Sequence, residues 1–551
     1  MESTTRDHTS DYDIAPGTVY IVEQPSALSA DSTAAVILIP TPADDLTDPL
    51  RWSVWRKRYH LFLLIAYGTL MTALGNWEAS IYVNIQEALG TTITLLNVGM
   101  ALTLLMLGVG NVFLTPLSHK LGRRFTYLSS LIIVIASKIW LAKAKNSGDF
   151  IGAHVLFGLG RAPYEALIPI SIADVLFTHE RGFGLGIYSF GLMFGSSVGP
   201  IASGYMVKTL HWRWVYWWGA ILCGVVWVVM FLTLEESRFI RKPSQVESTT
   251  FDPDERGTPT QESSSEDHKT AQEEVKDEKN DLQHHGSNTS VHRVGEVLDA
   301  DNFRFQTSLW TVFPGSLGVL AKQCYQPLQL AWFPVILWCG IMYGASVSWI
   351  SVLGTTTATM LGSAPYNFGN DALGLIWLSP LVGAIFGSYF AGSFNDQLTM
   401  FLSRRNRGWR EPEFRLWAFL PTAFIMPGGL ILYGVGAAKG LPWIAPIIGM
   451  GLVGFGLSVA AALTVAYTVD CYQAIDGEAV TTVILIRNII GSALTFGIQP
   501  WIDSMGVTDT FITVGCLSFV ITMAAGLLIV WGKKMRFLTK AAYMNFACLS
   551  G

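Results

Sequence analysis

Residues 442–466 read PWIAPIIGMGLVGFGLSVAAALTVA, an apolar run without a single charged side chain. A helix needs roughly 20 mostly apolar residues to cross the hydrocarbon core of a bilayer. The run lacks the alternation of polar and apolar positions that a strand of a membrane barrel requires. It therefore predicts a transmembrane α-helix.

Eleven further runs of the same kind lie along the chain, and a long polar segment divides the twelve into two sets of six. Together the twelve runs cover residues 59–82, 93–115, 125–144, 149–171, 183–206, 212–234, 332–353, 371–393, 415–437, 442–466, 478–501 and 510–532. The sequence thus predicts an all-α membrane protein. Its twelve transmembrane helices should form two six-helix bundles, at 59–234 and 332–532.

The composition agrees with this prediction. Of the 551 residues, 51% are hydrophobic and 14% are charged, whereas a soluble domain has about 25% charged residues. The 53 Gly and 19 Trp also fit helical membrane proteins, in which small residues allow close helix packing and aromatic rings lie at the interfaces. This composition argues against a soluble enzyme, and six Cys are too few for a disulfide scaffold.

Three polar segments, 1–58, 235–331 and 533–551, lie outside the predicted bundles. The second is acidic, with 13 acidic and 5 basic residues within 251–300. Segments of this composition bury too little apolar surface to fold, so we expect a disordered N-terminus and a mostly disordered loop. Lys and Arg are concentrated at the helix ends on one side of the membrane, and these three segments lie on the same side. Because basic residues favour the cytoplasmic side, we place all three segments in the cytoplasm.

Two turns, after the second and eighth predicted spans, suggest that the two sets are related. LGRR at 121–124 contains two basic residues, and GSFND at 392–396 is followed by Arg404 and Arg405. Together they resemble the loop signature of the major facilitator superfamily, although His119 stands where that family usually has Asp. GSSVGP at 195–200, followed by Gly204, is similar to the fifth-span motif of proton-driven exporters.

Other strings resemble the fungal twelve-span drug:proton antiporter branch, which includes polyamine and cation carriers and exporters of secondary metabolites. They are DPLRWS at 48–53, APYEAL at 162–167 and EPEFRL at 411–416. The usual Arg-x-x-Gln-Gly of the fourth span is absent, and His154 lies in its place.

The resemblance implies a secondary active transporter that works by alternating access and exports an amphipathic small molecule, a drug or secondary metabolite, in exchange for protons. The alternative is uptake of a polyamine or another organic cation, and a nutrient receptor or sugar porter fits less well. We expect no enzymatic activity, no cofactor and no metal. The expected partners are the small-molecule substrate, protons and the lipid bilayer, without nucleic acid. We expect a monomer in the plasma membrane, with the vacuolar membrane as the alternative.

Charged residues within the predicted spans are the candidates for substrate binding or proton coupling. A charge at bilayer depth costs at least about 2.5–3.5 kcal/mol, so each needs a partner, water or a function. Arg161 and Glu165 lie four apart in the fourth span and could pair, either as a proton-responsive site or as a structural ion pair. Arg487 and Asn488 could contact substrate or a carboxylate, or Arg487 could reach the inner interface. Glu78 lies near the outer end of the first span.

A further set of residues is predicted to act in conformational change. Small residues and Pro in the fifth span suggest a moving contact between the bundles, or ordinary helix packing. The basic turns suggest a cytoplasmic latch, or simple anchoring at the inner interface. These candidates are Gly195, Gly199, Pro200, Gly204, Gly122, Arg123, Arg124 and Asp396.

Overall fold

The computed structural model describes residues 15–20, 48–239, 317–406 and 408–550. Most of them are helical. The predictions for residues 1–14, 21–47 and 240–316 lie outside the described residues, and these include nearly all of the acidic loop.

Helices α1 to α8 form the first half of the protein, and α9 to α19 form the second half. The first half contains α1 (Val54–Asn76), α2 (Tyr82–Leu89), α3 (Ile93–Leu121), α4 (Arg123–Ala142), α5 (Ser147–Arg161), α6 (Pro163–Val175), α7 (Thr178–Thr209) and α8 (Arg213–Thr233). The second half contains α9 (Leu317–Leu330), α10 (Pro334–Leu361), α11 (Asn370–Ile376), α12 (Leu378–Tyr389), α13 (Asn395–Arg405), α14 (Phe419–Ala438), α15 (Ile444–Cys471), α16 (Asp476–Met505), α17 (Val507–Met523), α18 (Ala525–Leu538) and α19 (Lys540–Ser550). Shorter helical turns lie at Pro49–Arg51, Trp77–Ser80, Phe390–Phe394, Pro412–Ala418 and Gln473–Ile475.

Ten helical segments in the described ranges are long and apolar enough to cross a membrane. The two predicted spans that fall outside this group have clear local reasons. Helix α1 begins with three basic residues at 56–58, which lower its hydropathy. The fourth predicted span is divided into α5 and α6 at Ala162, because Pro163 has no backbone N–H to continue the helix.

The two halves repeat the same pattern of helix packing. In the first half, α1 packs on α7, α3 on α5 and α4 on α8; in the second, α10 packs on α16, α12 on α15 and α14 on α17. The halves meet along two seams, where α3 packs on α16 and α7 packs on α11 and α12. Helix α9 contacts both α3 and α16, so the end of the long connecting segment touches both halves.

We call the end of the helices that carries Arg123, Arg124, Arg404 and Arg405 the basic end. At the opposite end, α7 and α11 are in close contact. A Cβ atom added to Gly204 would overlap the carbonyl oxygen of Asn370. The Lys208 ammonium lies 2.8 Å from the Asp371 carboxylate.

The small residues of α7 divide between two contacts. Gly204 and the carbonyl of Pro200 face the second half, where Pro200 meets Gly374. In contrast, Gly195 and Gly199 pack on backbone carbonyls of α1 in the same half. For Gly195 and Gly199 the contacts fit the alternative of ordinary helix packing, because their side of α7 faces α1.

A segment from the start of the chain lies on the basic end of the second half. Val19–Tyr20 (β1) pairs antiparallel with Trp409–Arg410 (β2). Arg536 donates to the carbonyl of Pro16 and also forms a two-armed pair with Glu413, at 2.7 and 2.8 Å. Residues 15–20 thus differ from the expectation of a wholly disordered N-terminus. Helices α18 and α19 likewise extend into the predicted tail.

We expect Arg536→Met to destabilise the protein strongly, because Arg536 and Glu413 are buried and the change leaves a buried carboxylate without its partner. The expected loss is about 3–5 kcal/mol. Lys533→Met on the same helix is the matched control, since 58% of the Lys533 side chain is exposed in its pair with Glu411 and pairs at the surface contribute about 0–1 kcal/mol. Thermal unfolding of the two purified variants measures the difference. Equal melting temperatures would contradict the prediction.

Candidate substrate and proton site

The break between α5 and α6 places Glu165 against the second half of the protein. Helix α6 begins at Pro163, so Glu165 lies in its first turn. A carboxylate is favoured there because the N-terminus of a helix carries a partial positive charge. The Glu165 side chain is buried. A charged group in this position requires partners, and the second half supplies them.

Glu165 is paired with two neighbouring residues of α16. Its Oε1 accepts from Arg487 in a buried ion pair, and its Oε2 accepts from Asn488 Nδ2 at 3.0 Å. Arg487 Nη2 also donates to Asn488 Oδ1, at 2.9 Å. The three side chains form a closed network in which one carboxylate of the first half is held by two groups of the second.

The predicted pair of Arg161 and Glu165 is wrong in the described structure, where Glu165 pairs with Arg487 instead. A pair four residues apart needs a continuous helix, and the chain breaks between these two residues. Arg161 instead donates to the Tyr164 hydroxyl at 3.2 Å. Its guanidinium packs over the ring of Phe157 at 5.2 Å. Gly75 of α1 leaves the space that the guanidinium occupies.

Tyrosine rings surround this network. Arg487 packs over the Tyr343 ring at 4.7 Å from its centre, and the Tyr188 hydroxyl donates to the Tyr164 carbonyl at 2.9 Å. Among the described residues, the buried Nε atoms of Arg161 and Arg487 have no hydrogen-bond partner. Buried donors are nearly always satisfied, so a bound ligand or water can complete this site.

Glu78 is not part of the Glu165 network. It belongs to a separate buried cluster within the first half, where it contacts His154 Nε2 at 3.1 Å and accepts from the Tyr216 hydroxyl at 3.0 Å. Lys138 is also buried in this cluster and donates to the Leu74 carbonyl at 3.2 Å. Sequence reasoning missed His154 and Lys138 as site residues. The sequence feature that could have identified them is an ionisable side chain within a predicted membrane span.

The charged residues at the basic end form pairs within each half. Arg123 pairs with Asp174 at 3.2 Å, and Asp396 pairs with Arg415 at 3.2 Å. The described contacts of Arg123 and Asp396 thus lie within one half each, and their role in a cytoplasmic latch, predicted for the state in which the inner end is closed, stays a prediction. Each of these charges has a nearer partner on the helices of its own bundle.

Helix α4 begins at the turn that contains Gly122 and is capped by Glu236. Gly122 has a positive φ of 91°, which suits a residue without a Cβ. The Glu236 carboxylate accepts from the backbone N–H of Arg123 at 2.9 Å and of Arg124 at 3.1 Å. Burial raises the pKa of Glu236 above its ordinary value in spite of these donors. This contact anchors the basic turn to the segment that follows α8.

The comparison with known families agrees with this architecture. Residues 63–474 match the sequence profile of the Major Facilitator Superfamily. The chain belongs to this superfamily. The family resemblance predicted from the turns at 121–124 and 392–396 is thus confirmed, and the protein is a membrane transporter with multiple spanning helices.

Its similar proteins include fungal transporters. The chain is 30% identical to "Uncharacterized MFS-type transporter C1271.10c" of Schizosaccharomyces pombe, over 96% of this chain and 94% of that protein. It is 25% identical to "Probable efflux pump mfs2" of Aspergillus flavus, over 83% of this chain and 98% of that protein. The fold is similar to the xylose transporter XylE of E. coli, with a TM-score of 0.54 at 12% identity, covering 84% and 98% of the two chains.

Proposed function

We propose that this transporter exports an amphipathic small molecule in exchange for protons, and that Glu165 carries the coupling. The observation that supports this most is the network of Glu165, Arg487 and Asn488. It joins the two halves through a single buried carboxylate, so a change of charge on one side chain acts directly on the contact between halves. The similarity to an efflux pump supports export as the direction.

Protonation of Glu165 would remove the negative charge that holds Arg487. Breaking a buried ion pair by removing one partner costs about 3–5 kcal/mol. A coupling energy of about 3 kcal/mol already changes a binding equilibrium roughly 150-fold. The proton can therefore shift the population between two arrangements of the halves, and a cargo that binds one arrangement better would be moved in exchange.

The arrangement of the halves fits a state that is open toward the cytoplasm. Helices α7 and α11 touch at the end opposite the basic turns, and basic turns favour the cytoplasmic side. At the basic end, Cβ atoms added to Gly182 and Gly186 of α7 and Gly477 of α16 would meet open space. The outer end would then be closed and the inner end open.

We propose twelve spans for this protein, ten from the long apolar helices and two from α1 and the pair α5 and α6. This proposal is supported by the packing of α1 on α7 and of α5 on α3, which matches α10 on α16 and α15 on α12 in the second half. The bundles would then comprise residues 59–234 and 332–532. Both termini and the acidic segment 235–331 would be cytoplasmic, and the protein would act as a monomer in the plasma membrane.

Uptake of an organic cation is the second candidate. The specific observation in its favour is that the Arg487 guanidinium, itself a cation, is paired with the Glu165 carboxylate and packs over the Tyr343 ring at 4.7 Å from its centre. A carboxylate beside aromatic faces is suited to a cation. In this case the cargo would compete with Arg487 for Glu165.

Transport by the full chain in proteoliposomes distinguishes the two candidates. We would load a panel of labelled amphipathic compounds and polyamines, impose a pH gradient, and follow lumenal pH with a trapped dye. Exchange predicts that cargo and protons move in opposite directions, and that the pH gradient drives accumulation of an amphipathic compound. Accumulation of a polyamine with protons moving alongside it would favour uptake. Cargo movement that is indifferent to the pH gradient would overturn proton coupling.

The outer contact provides a separate prediction. Lys208→Asp places a second carboxylate opposite Asp371, so we expect repulsion between α7 and α11 and a more frequent opening of the outer end. The pair is exposed and contributes only about 0–1 kcal/mol, so the expected change in transport rate is less than about tenfold. The double variant Lys208→Asp with Asp371→Lys should restore the rate. No recovery in the charge-swapped protein would contradict a gating role for this pair.

A further inference from the structure

We propose that the basic end of the second half carries a peptide-binding site, and that residues 15–20 of the same chain are its ligand. This ligand has two parts, a tight turn at residues 15–18 and the strand β1. The proposal concerns the second half alone. It does not depend on the direction of transport or on proton coupling.

The ligand begins with a turn that its own sequence favours. The backbone N–H of Thr18 donates to the carbonyl of Ala15 at 3.3 Å, which closes a four-residue turn. Pro16 and then Gly17, with a positive φ of 82°, occupy its two central positions, as a type II turn prefers. Pro fixes its own φ, so the free segment already favours the docked shape. A ligand that is preorganised in this way loses less entropy on binding.

The turn lies directly against the end of α15. A Cβ atom added to Gly17 would overlap the carbonyl oxygen of Asp470 and touch the backbone of Cys471. Ala15 is buried in the same contact region of the chain. Glycine suits position 17 twice, because of its positive φ and because of the close approach of another backbone. The site therefore discriminates against a ligand with a side chain at this position.

Arg536 of α18 recognises the turn. Its Nη1 donates to the carbonyl of Pro16 and to the hydroxyl of Thr18, the latter at 3.3 Å. Its Nε and Nη2 are held by Glu413 at 2.8 and 2.7 Å, so the guanidinium is fixed before the ligand arrives. Arg536 is completely buried, and buried donors are nearly always satisfied. Departure of the ligand would leave Nη1 available to the carbonyl of another peptide.

Strand β1 completes the contact by pairing with β2 in antiparallel register. In the described part of the chain, β2 has no other strand beside it. Addition of a peptide strand to an open edge is a common mode of peptide recognition. The loop that carries β2 is itself anchored, since Arg410 and Arg415 both donate to Asp470, at 3.3 and 2.7 Å. Docking thus connects the loop before α14 with α15 and α18.

The contacts that hold residues 15–20 all belong to the second half. A ligand that binds two arrangements of the halves equally does not shift the balance between them. We therefore expect docking to stabilise the second half and not to favour one arrangement of the two halves.

Peptide binding to the full chain tests the site. In Gly17→Val the added side chain prevents docking of the chain's own segment, so the site becomes free. A fluorescent peptide with the native sequence of residues 12–22 should then bind, which anisotropy measures. We expect at least about tenfold weaker binding to the unmodified chain, because a tethered ligand occupies the site at an effective concentration of about millimolar.

Two controls isolate this contact. The peptide with Gly17→Val should bind neither protein. Gly506→Val is the matched protein control, because Gly506 has a similar φ of 81° and open space around it. It should bind the native peptide as weakly as the unmodified chain does. No binding to Gly17→Val, or equal binding to Gly17→Val and the unmodified chain, would overturn the proposal.

Thermal unfolding measures what the ligand contributes. A ligand that binds only the folded protein stabilises it. Gly17→Val should therefore melt at a lower temperature than the unmodified chain, and added peptide should raise its melting temperature. The peptide should leave Gly506→Val unchanged. A melting temperature of Gly17→Val that does not respond to saturating peptide would contradict the stabilising role.

Disulfide trapping provides a test that does not require Gly17→Val to fold. Tyr20 and Trp409 are direct partners in the register, and Cα atoms of such partners lie about 4.5–5.5 Å apart, which a disulfide can span. Tyr20→Cys combined with Trp409→Cys should form this bond under mild oxidation, detected by mass spectrometry. Tyr20→Cys combined with Trp417→Cys is the control, since Trp417 is similarly exposed but lies outside β2, and it should stay reduced.

A mixture of two differently tagged copies of the double-cysteine protein identifies the occupant of the site. A bond within one chain supports the proposal. A bond between copies would overturn the assignment of the ligand to the same chain, and absence of the bond would overturn docking itself.

Discussion

Glu165→Gln should abolish proton-driven transport and leave a folded protein. Glutamine has nearly the same shape and can still accept from Asn488 or Arg487, but it cannot carry the charge that changes on proton binding. We expect accumulation of cargo against its gradient to fall to the level of protein-free liposomes. Exchange of labelled for unlabelled cargo, which needs no net proton movement, should persist. Both are measured with the same reconstituted protein.

The matched control is Glu87→Gln, which removes an exposed carboxylate of α2. It should accumulate cargo at the rate of the unmodified protein. Thermal unfolding of each variant establishes that the loss of accumulation is not a loss of structure. Normal proton-driven accumulation by a well-folded Glu165→Gln protein would refute the role of this residue.

A double-mutant cycle on Glu165 and Arg487 should show strong coupling. Either single change to Gln leaves one buried charge without its partner, whereas the double change removes both charges. We expect the double variant to be more stable than the sum of the single losses predicts, by about 2–3 kcal/mol, the upper part of the range for residues in contact. Denaturation of the four proteins in one detergent measures this term.

The same cycle on Lys208 and Asp371 serves as the control for an exposed pair. These residues also join the two halves, at 2.8 Å, but 61% of the Lys208 side chain is exposed. Their coupling should be at most about 1 kcal/mol. If the stability losses of the single variants at Glu165 and Arg487 add up to that of the double variant, the pair does not hold the halves together. The proposed mechanism would then be contradicted.

Much of the fold could be predicted from the sequence, because insertion of a helix into lipid depends on local composition. The run at 442–466 became α15, Ile444–Cys471, and its limits shifted by only a few residues. The fourth span was predicted as one undivided run at 149–171, whereas the structure divides it at Ala162. Pro163 stands two residues after Arg161, and Pro inside a helix interrupts the backbone ladder.

The candidate site was predicted only in part. Glu165, Arg487 and Asn488 were identified individually, because a charged or polar side chain at bilayer depth needs a purpose. Their pairing could not be identified, since Glu165 and Arg487 are 322 residues apart and nothing in the local pattern connects them. The sequence predicts Arg161 as the partner of Glu165, because residues four apart on one helix can pair.

The order of apolar and polar segments determined that this chain is a helical membrane protein, because each segment enters lipid according to its own composition. Short sequence motifs indicated its family. Only the tertiary structure decided which buried charges meet. Packing of the halves brought Glu165 to Arg487 and left Glu78 with His154 inside one half. The energy of a charge pair depends on the distance between the two groups in space. The number of residues between them in the sequence does not determine that distance.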